Sequence, residues 1–205
     1  MNKRFLQWCR SIQAISQNGL AFTKDPFDKE RYEQLKTVAS EMLASCADIQ
    51  TEKIKHLFSS EKGYATPKVD VRGGVFKEAK ILLVRERSDN AWTLPGGWAD
   101  VNESPSESIV REIREESGFL TKCAKLAAVY DRDKHAHTPF YYSVYKLFFI
   151  CDLIGGKPEK TIETDGVAFF SEDSLPNLSE TRVTPGQIQM LFRHHRNIAL
   201  PAEFD

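Results

Sequence analysis

Gly97–Phe119, GWADVNESPSESIVREIREESGF, decides the reading of this chain. The stretch holds six acidic side chains, five of them glutamates, framed by Gly97 and Gly118. Ser104, Pro105 and Glu107 form a capping box with proline at the first helical position, where no backbone N–H is needed. Ile109, Val110 and Ile113 make an apolar arc, and Glu112, Glu115 and Glu116 make a polar arc beside it. Residues three and four apart share one side of a helix, so the three glutamates project together. Like charges at that spacing destabilise a helix, and a cation relieves the cost. Gly118 is the expected stop.

The acidic face offers only hard oxygen donors, which suit Mg2+ or Mn2+. Such an ion neutralises the charge of a bound anion and lowers the pKa of an attacking water. Glu115 and Glu116 are the central candidate ligands, and Glu112 is a ligand or the general base. Arg111, four before Glu115, can pair with that carboxylate or with Glu103 and hold the ligands in place. Gly96 and Gly97 let backbone approach a phosphate closely. The plain alternative is a solvated glutamate-rich helix laced by arginines.

The spacing of the glycine and arginine positions tells against that alternative. Gly97, five residues, Glu103, seven residues, then Arg111-Glu112-Ile113-Arg114-Glu115-Glu116-Ser117-Gly118-Phe119 resembles the Nudix hydrolase signature at each fixed position. The resemblance implies cleavage of nucleoside diphosphates linked to another moiety, with Glu115 and Glu116 as metal ligands and the Gly97 carbonyl as a further one. It also implies that a late-loop acid serves as base or extra ligand, a place that Glu163 in TIETDG could fill.

Working outward, residues 3–17 carry Phe5, Leu6, Trp8, Cys9, Ile12 and Ile15 at helical intervals, with Asn18-Gly19 as the stop. A second helix starts near Asp25-Pro26 or Asp28 and runs to about Cys46, and Thr51 caps a short third, EKIKHLF. SSEKGYATP is the boundary, giving a helical domain over 1–64 and a hydrolase domain over 65–205. Strands follow at 69–76 and 79–84, with a turn at Lys77-Glu78, and again at 124–130, 140–152 and 167–170. A polar loop spans 131–139, a turn lies at Gly155-Gly156-Lys157, and 171–178 reads as a turn with a short helix. Thr184-Pro185-Gly186-Gln187 opens the last helix. The mixture is α/β.

The helical start, TPKVDVRGGVF and GGWADVNESP together resemble a Nudix subgroup with a short helical N-terminal domain, the ADP-ribose pyrophosphatases, some of which act on CDP-choline. That resemblance implies an α/β/α sandwich with a mixed sheet and a homodimer. It favours nucleoside diphosphates linked to sugars or alcohols. Oxidised nucleoside triphosphates, RNA processing and a non-catalytic ligand sensor are the competing functions. Sensors usually carry damaged motifs, and this one is intact.

Composition narrows the classes further. At 28% charged and 41% hydrophobic residues, the chain is ordinary for a globular protein. A net charge of −1 offers no global field for nucleic acid, so none is expected as a partner. No apolar run spans a bilayer and the N-terminus lacks a leader pattern, so no membrane partner and a cytoplasmic place are expected. Four cysteines without a CxxC pair read as thiols in a reducing compartment. Arg85 is a candidate phosphate contact, Trp98 packs under the loop or stacks on a base, and His135 and His137 could touch substrate.

Overall fold

The computed structural model describes residues 2–47, 51–159 and 161–205. The expected Thr51 cap and the Cys46 thiol lie outside what it describes. The chain divides into two compact units, Met1–Pro67 with Pro139–Ser143, and Lys68–Thr138 with Val144–Asp205.

The first unit holds α1 (Lys3–Phe22), α2 (Pro26–Ala47) and α3 (Thr51–Ser60). Asn2 caps α1 by accepting from the Arg4 N–H at 2.9 Å. Asp25 caps α2, its Oδ1 accepting from Phe27 N–H at 2.8 Å and Asp28 N–H at 3.1 Å. Leu6, Cys9, Ala39, Leu43, Ile54 and Phe58 form the core, with Tyr141 packed against it. The helix α1 runs past Asn18-Gly19, which the sequence reading takes as its stop. A Cβ on Gly19 would lie 2.4 Å from the Tyr32 ring, so the glycine serves close approach of α1 and α2. Asn18 is spent elsewhere, its Oδ1 accepting from Ala65 N–H at 2.7 Å.

In the second unit one mixed sheet runs β3-β2-β1-β5-β4-β7, with β6 also paired to β2. The strands are β1 (Lys68–Lys77), β2 (Lys80–Glu86), β3 (Trp92–Thr93), β4 (Phe119–Asp131), β5 (Val144–Gly156), β6 (Thr164–Phe170) and β7 (Glu203–Phe204). Pairing is parallel for β1–β5 and antiparallel for β4–β5. Helix α4 (Pro105–Ser117) and helix α5 (Pro185–Arg196) cover opposite faces. Strand alternation explains the two cores. Val71, Val75, Leu82, Phe149 and Cys151 meet Ile109 and Ile113 of α4. Ile81, Leu83, Phe148 and Ile150 meet Ile188, Met190 and Leu191 of α5. Ile109 and Ile113 are fully buried, each worth about 1.5–3 kcal/mol of apolar transfer. This is the expected α/β/α sandwich.

Several boundaries differ from the sequence reading. The hairpin turn is Glu78-Ala79, with φ of 51° and 57°, the left-handed pair that a two-residue turn demands. Strand β4 begins at Phe119, directly after the helix stop, and absorbs three register shifts by Ala128. Strand β5 begins at Val144, because Phe140, Tyr141 and Tyr142 belong to the helical unit. Gly155-Gly156 closes β5 and pairs with Leu120 and Phe119. No helix forms over 171–178, where Leu178 instead bridges to Trp92. Among the described residues no helix is long and apolar enough to cross a membrane.

Candidate active site on the α4 acidic face

The helix α4 begins and ends as its sequence dictates. Ser104 accepts from Glu107 N–H at 3.3 Å while Glu107 accepts from Ser104 N–H at 2.8 Å. Gly118 closes the helix at φ 77°, its N–H bonded to the Arg114 carbonyl. The loop before it runs along β1. Val71 N–H reaches the Gly97 carbonyl at 2.8 Å, Gly73 N–H reaches Pro95 at 3.0 Å, and Ala99 N–H reaches Val69 at 3.0 Å. One lone pair of the Gly97 carbonyl is thus committed to the sheet.

Glu116 is the buried member of the acidic set, 4% exposed. Gly96 N–H donates to its Oε2 at 2.7 Å. Burial, together with Glu112 and Glu86, raises this carboxyl to about 8, against the pull of Arg72 and of the Gly96 N–H. Glu112 lies against Gly97: a Cβ there would sit 3.3 Å from its Oε1. Burial raises Glu112 as well, opposed by Arg111. Glu115 is the exposed member.

Arg111 organises the rest. Its guanidinium meets Asp100 at 3.1 Å, Glu103 at 3.0 Å, Glu112 at 2.9 Å and Glu115 at 2.8 Å. Glu103 also accepts from Ser108 Oγ at 3.0 Å, which fixes the far end of the bridge. A planar fork suits this task better than an ammonium would.

The donor set fits a hard divalent cation. It is all oxygen, and it contains a buried carboxylate whose ionised form burial opposes and a cation would favour. Among the described residues no three His, Cys, Asp or Glu side chains converge in ligating geometry. Arg111 is paired with both Glu112 and Glu115.

The other candidates separate. Glu163 is exposed, and its neighbour Thr164 donates from Oγ1 to the Glu116 carbonyl at 2.6 Å, so this loop is tied to the end of α4. Arg85 is engaged with Asp165 at 2.7 Å and lies over Trp92, 5.8 Å from its centroid. Trp98 is 46% exposed and does not pack under the loop. His135 stacks on Tyr130 and meets Asp205 at 2.8 Å. His137 is not a loop-surface group. Its Nδ1 meets the Glu180 carbonyl at 2.9 Å and its Nε2 meets Gln187 at 2.9 Å. Burial holds it neutral, at about 4. The Gln187 Oε1 takes the Thr184 N–H of the helix cap. Its amide nitrogen therefore faces His137, which leaves Nδ1–H to donate to Glu180. Both ring nitrogens are thus spent on structure, and the structure does not bring His137 to the acidic face.

Three buried charged residues escaped the sequence reading. Asp70 accepts from Arg72 Nη2 at 2.9 Å and from Lys146 Nζ at 2.6 Å. Lys146 stands opposite Asp70 in the β1–β5 register. Arg72 also donates to the Leu94 carbonyl at 3.0 Å and is the cation that offsets burial at Glu116. The alternation Val69-Asp70-Val71-Arg72 shows that Asp70 and Arg72 share a face, but nothing local points to Lys146.

An acidic helix face, a backbone glycine clamp and an arginine bridge on an α/β/α sandwich define a phosphoanhydride hydrolase. Residues 67–193 match the NUDIX domain, and residues 3–58 match a UDP-X-like, N-terminal oligomerisation domain. The chain belongs to the Nudix family and is a pyrophosphohydrolase. It is 48% identical over 202 residues to the putative ADP-ribose pyrophosphatase YjhB of Bacillus subtilis, covering 98% of this chain and 97% of that one. A solved UDP-X diphosphatase is 38% identical with a TM-score of 0.65, over 98% of both chains. A solved ADP-ribose pyrophosphatase from Streptococcus suis is 38% identical with a TM-score of 0.63, over 68% of this chain and all (100%) of that one.

Proposed function

We propose that this chain hydrolyses the pyrophosphate of a nucleoside diphosphate linked to another moiety, of the ADP-ribose or CDP-choline type, with Mg2+ or Mn2+. The products are a nucleoside monophosphate and a phosphorylated X. The observation that carries the reading is Glu116, a buried carboxylate clamped by the Gly96 N–H beside Glu112 and Arg111. The relatives named as ADP-ribose pyrophosphatases support the substrate class.

Glu112, Glu115, Glu116 and the Gly97 carbonyl would hold the cation. When bound, it supplies charge neutralisation on the phosphate oxygens and a lower pKa for the attacking water. Arg111 sets the orientation of Glu112 and Glu115. The Gly96 N–H holds Oε2 of Glu116, and Oε1 would be the ligand atom. Water adds to phosphorus, the anhydride P–O bond breaks, and the proton passes to the carboxylate of Glu112 or of Glu163. The bond from Thr164, the neighbour of Glu163, to the Glu116 carbonyl supports the second choice. Arg85 and Trp98 would contact the substrate.

The second reading is a UDP-linked substrate. It is favoured by the UDP-X diphosphatase whose likeness extends over the helical unit as well. A hydrolysis panel decides: ADP-ribose, CDP-choline, UDP-sugars, dinucleoside polyphosphates, NADH and oxidised dNTPs, each with Mg2+ or Mn2+. Preference for triphosphates would overturn the substrate class.

Residues 1–64 are read as the homodimerisation module and 65–205 as the hydrolase domain. Trp8, Ile15 and Phe22 stand seven apart on α1 and are 52%, 58% and 69% exposed. A stripe of that size and regularity asks for a covering surface, and a second copy of the same stripe supplies one. The reduced thiols of Cys123 and Cys151 fit a cytoplasmic place.

A further inference from the structure

The strands β4 and β5 place Cys123 and Cys151 directly opposite each other. Opposed residues of an antiparallel pair have Cα atoms about 4.5 or 5.5 Å apart, according to the ladder position. A disulfide spans roughly 4.4–6.8 Å between Cα atoms, so either position admits the bond. Both thiols face α4, in the cluster with Ile109, Ile113 and Phe119.

The two differ in access. Cys151 is 2% exposed. Cys123 is partly exposed and lines a groove of about 880 Å³ beside α4, together with Val110, Arg111, Arg114, Glu115 and Lys125. The hydrogen bond from the Cys151 thiol holds Cys123 below the usual thiol range, against burial and Asp152. The same bond, with burial, pushes Cys151 up. One sulfur is reachable and activated, and its neighbour is enclosed and protonated. That is the arrangement of an attacking thiol and a resolving one.

We propose that Cys123 and Cys151 are a peroxide-oxidised dithiol, a modification site on the groove that Arg111 and Glu115 also line. The Cys123 thiolate attacks one oxygen of a hydroperoxide. The S–O bond forms, the O–O bond breaks, and the leaving oxygen departs as hydroxide or alkoxide and takes up a proton. Cys151 then loses its proton and attacks the sulfenyl sulfur. The S–S bond forms, the S–O bond breaks, and hydroxide leaves as water. Two thiols and one hydrogen peroxide give one disulfide and two waters. The disulfide ties together the two strands beneath α4.

The test uses the whole chain, hydrogen peroxide and dimedone, followed by peptide mass mapping. The native chain should give a linked Cys123–Cys151 peptide, lighter by two hydrogens, with no dimedone on Cys123. Cys151→Ser should stop at the sulfenic acid and carry dimedone on Cys123. Cys123→Ser should leave Cys151 unmodified. Without peroxide, iodoacetamide should label Cys123 at least about tenfold faster than Cys151. Circular dichroism checks the fold of each variant, and Cys151→Ala serves if the serine is not tolerated. A persistent dimedone adduct on native Cys123, or equal labelling of the two thiols, would overturn the proposal.

Discussion

Gly96 donates its backbone N–H to Oε2 of Glu116 over 2.7 Å, from a φ of 134°. A Cβ at Gly96 would lie 2.0 Å from the Val71 carbonyl, so no other residue fits there without moving β1. A loop glycine thus aims a helix carboxylate twenty positions later in the chain.

Glu116→Gln tests what that carboxylate does. Glutamine keeps an oxygen for the Gly96 N–H and cannot ionise, so the fold should persist with unchanged or raised stability in metal-free buffer. The lost cation ligand is worth several kcal/mol in the barrier, roughly 10²–10³-fold in kcat. Steady-state kinetics with circular dichroism check this. Full activity in the variant would remove Glu116 from the site.

Arg111→Lys asks whether one fork orients four carboxylates. Lysine keeps the charge but reaches fewer partners, so Glu112 and Glu115 lose their hold. The expected loss is about 10–100-fold in activity or in apparent affinity for the metal, partly recovered at higher metal concentration. Activity titrated against Mg2+ measures it. Tighter metal binding in the variant would show that Arg111 competes for these carboxylates and does not present them to the cation.

What the sequence reveals here follows the range of the forces. The start and stop of α4 depend on Ser104, Glu107 and Gly118, all within a turn of the helix ends, and they read correctly. Asn18-Gly19 carries the same stop signal, yet α1 continues, and the glycine gives space to the Tyr32 ring. The aromatic run Phe140–Tyr142 has strand composition, yet it belongs to the helical unit, where Tyr141 packs against the core. Lys146 meets Asp70 across 76 positions, a parallel pairing that no local pattern encodes. The acidic face was legible because its spacing is helical. Its supports, Gly96, Arg72 and Thr164, come from elsewhere in the chain.

The buried trio predicts acid behaviour. Burial alone would raise Asp70, but Arg72 and Lys146 outweigh it and hold the carboxyl at about 2, below its ordinary 3.8. A carboxylate lowered on folding stabilises the native state above its unfolded pKa and loses that contribution as pH falls through the folded one. The contribution is about 2 kcal/mol, present above pH 4 and gone near pH 2. Lys146 is nevertheless pushed down, to about 8, by its own burial and by Arg72, because one carboxylate serves two cations. Asp70→Asn leaves both cations uncompensated and should cost about 3–5 kcal/mol at neutral pH. It should also flatten the loss of stability between pH 4 and 2. Urea unfolding across pH checks both, and an unchanged acid slope would exclude Asp70 as its source.

The stripe on α1 predicts the assembly. Trp8, Ile15 and Phe22 fall on one line of the helix, away from Leu6, Cys9, Ser16 and Gln17, which face the core. Arg4 covers Trp8 from one side, 5.5 Å from its ring centroid, and leaves the indole half exposed. A buried interface tryptophan is commonly worth 2 kcal/mol or more. Trp8→Asp with Ile15→Asp should therefore weaken a dimer by about 100-fold or more, while the helical core keeps its packing. Sedimentation equilibrium over a range of concentrations reads the change, and circular dichroism confirms that the helices remain. If the double variant stays as associated as the native chain, the contact lies on another surface of the protein.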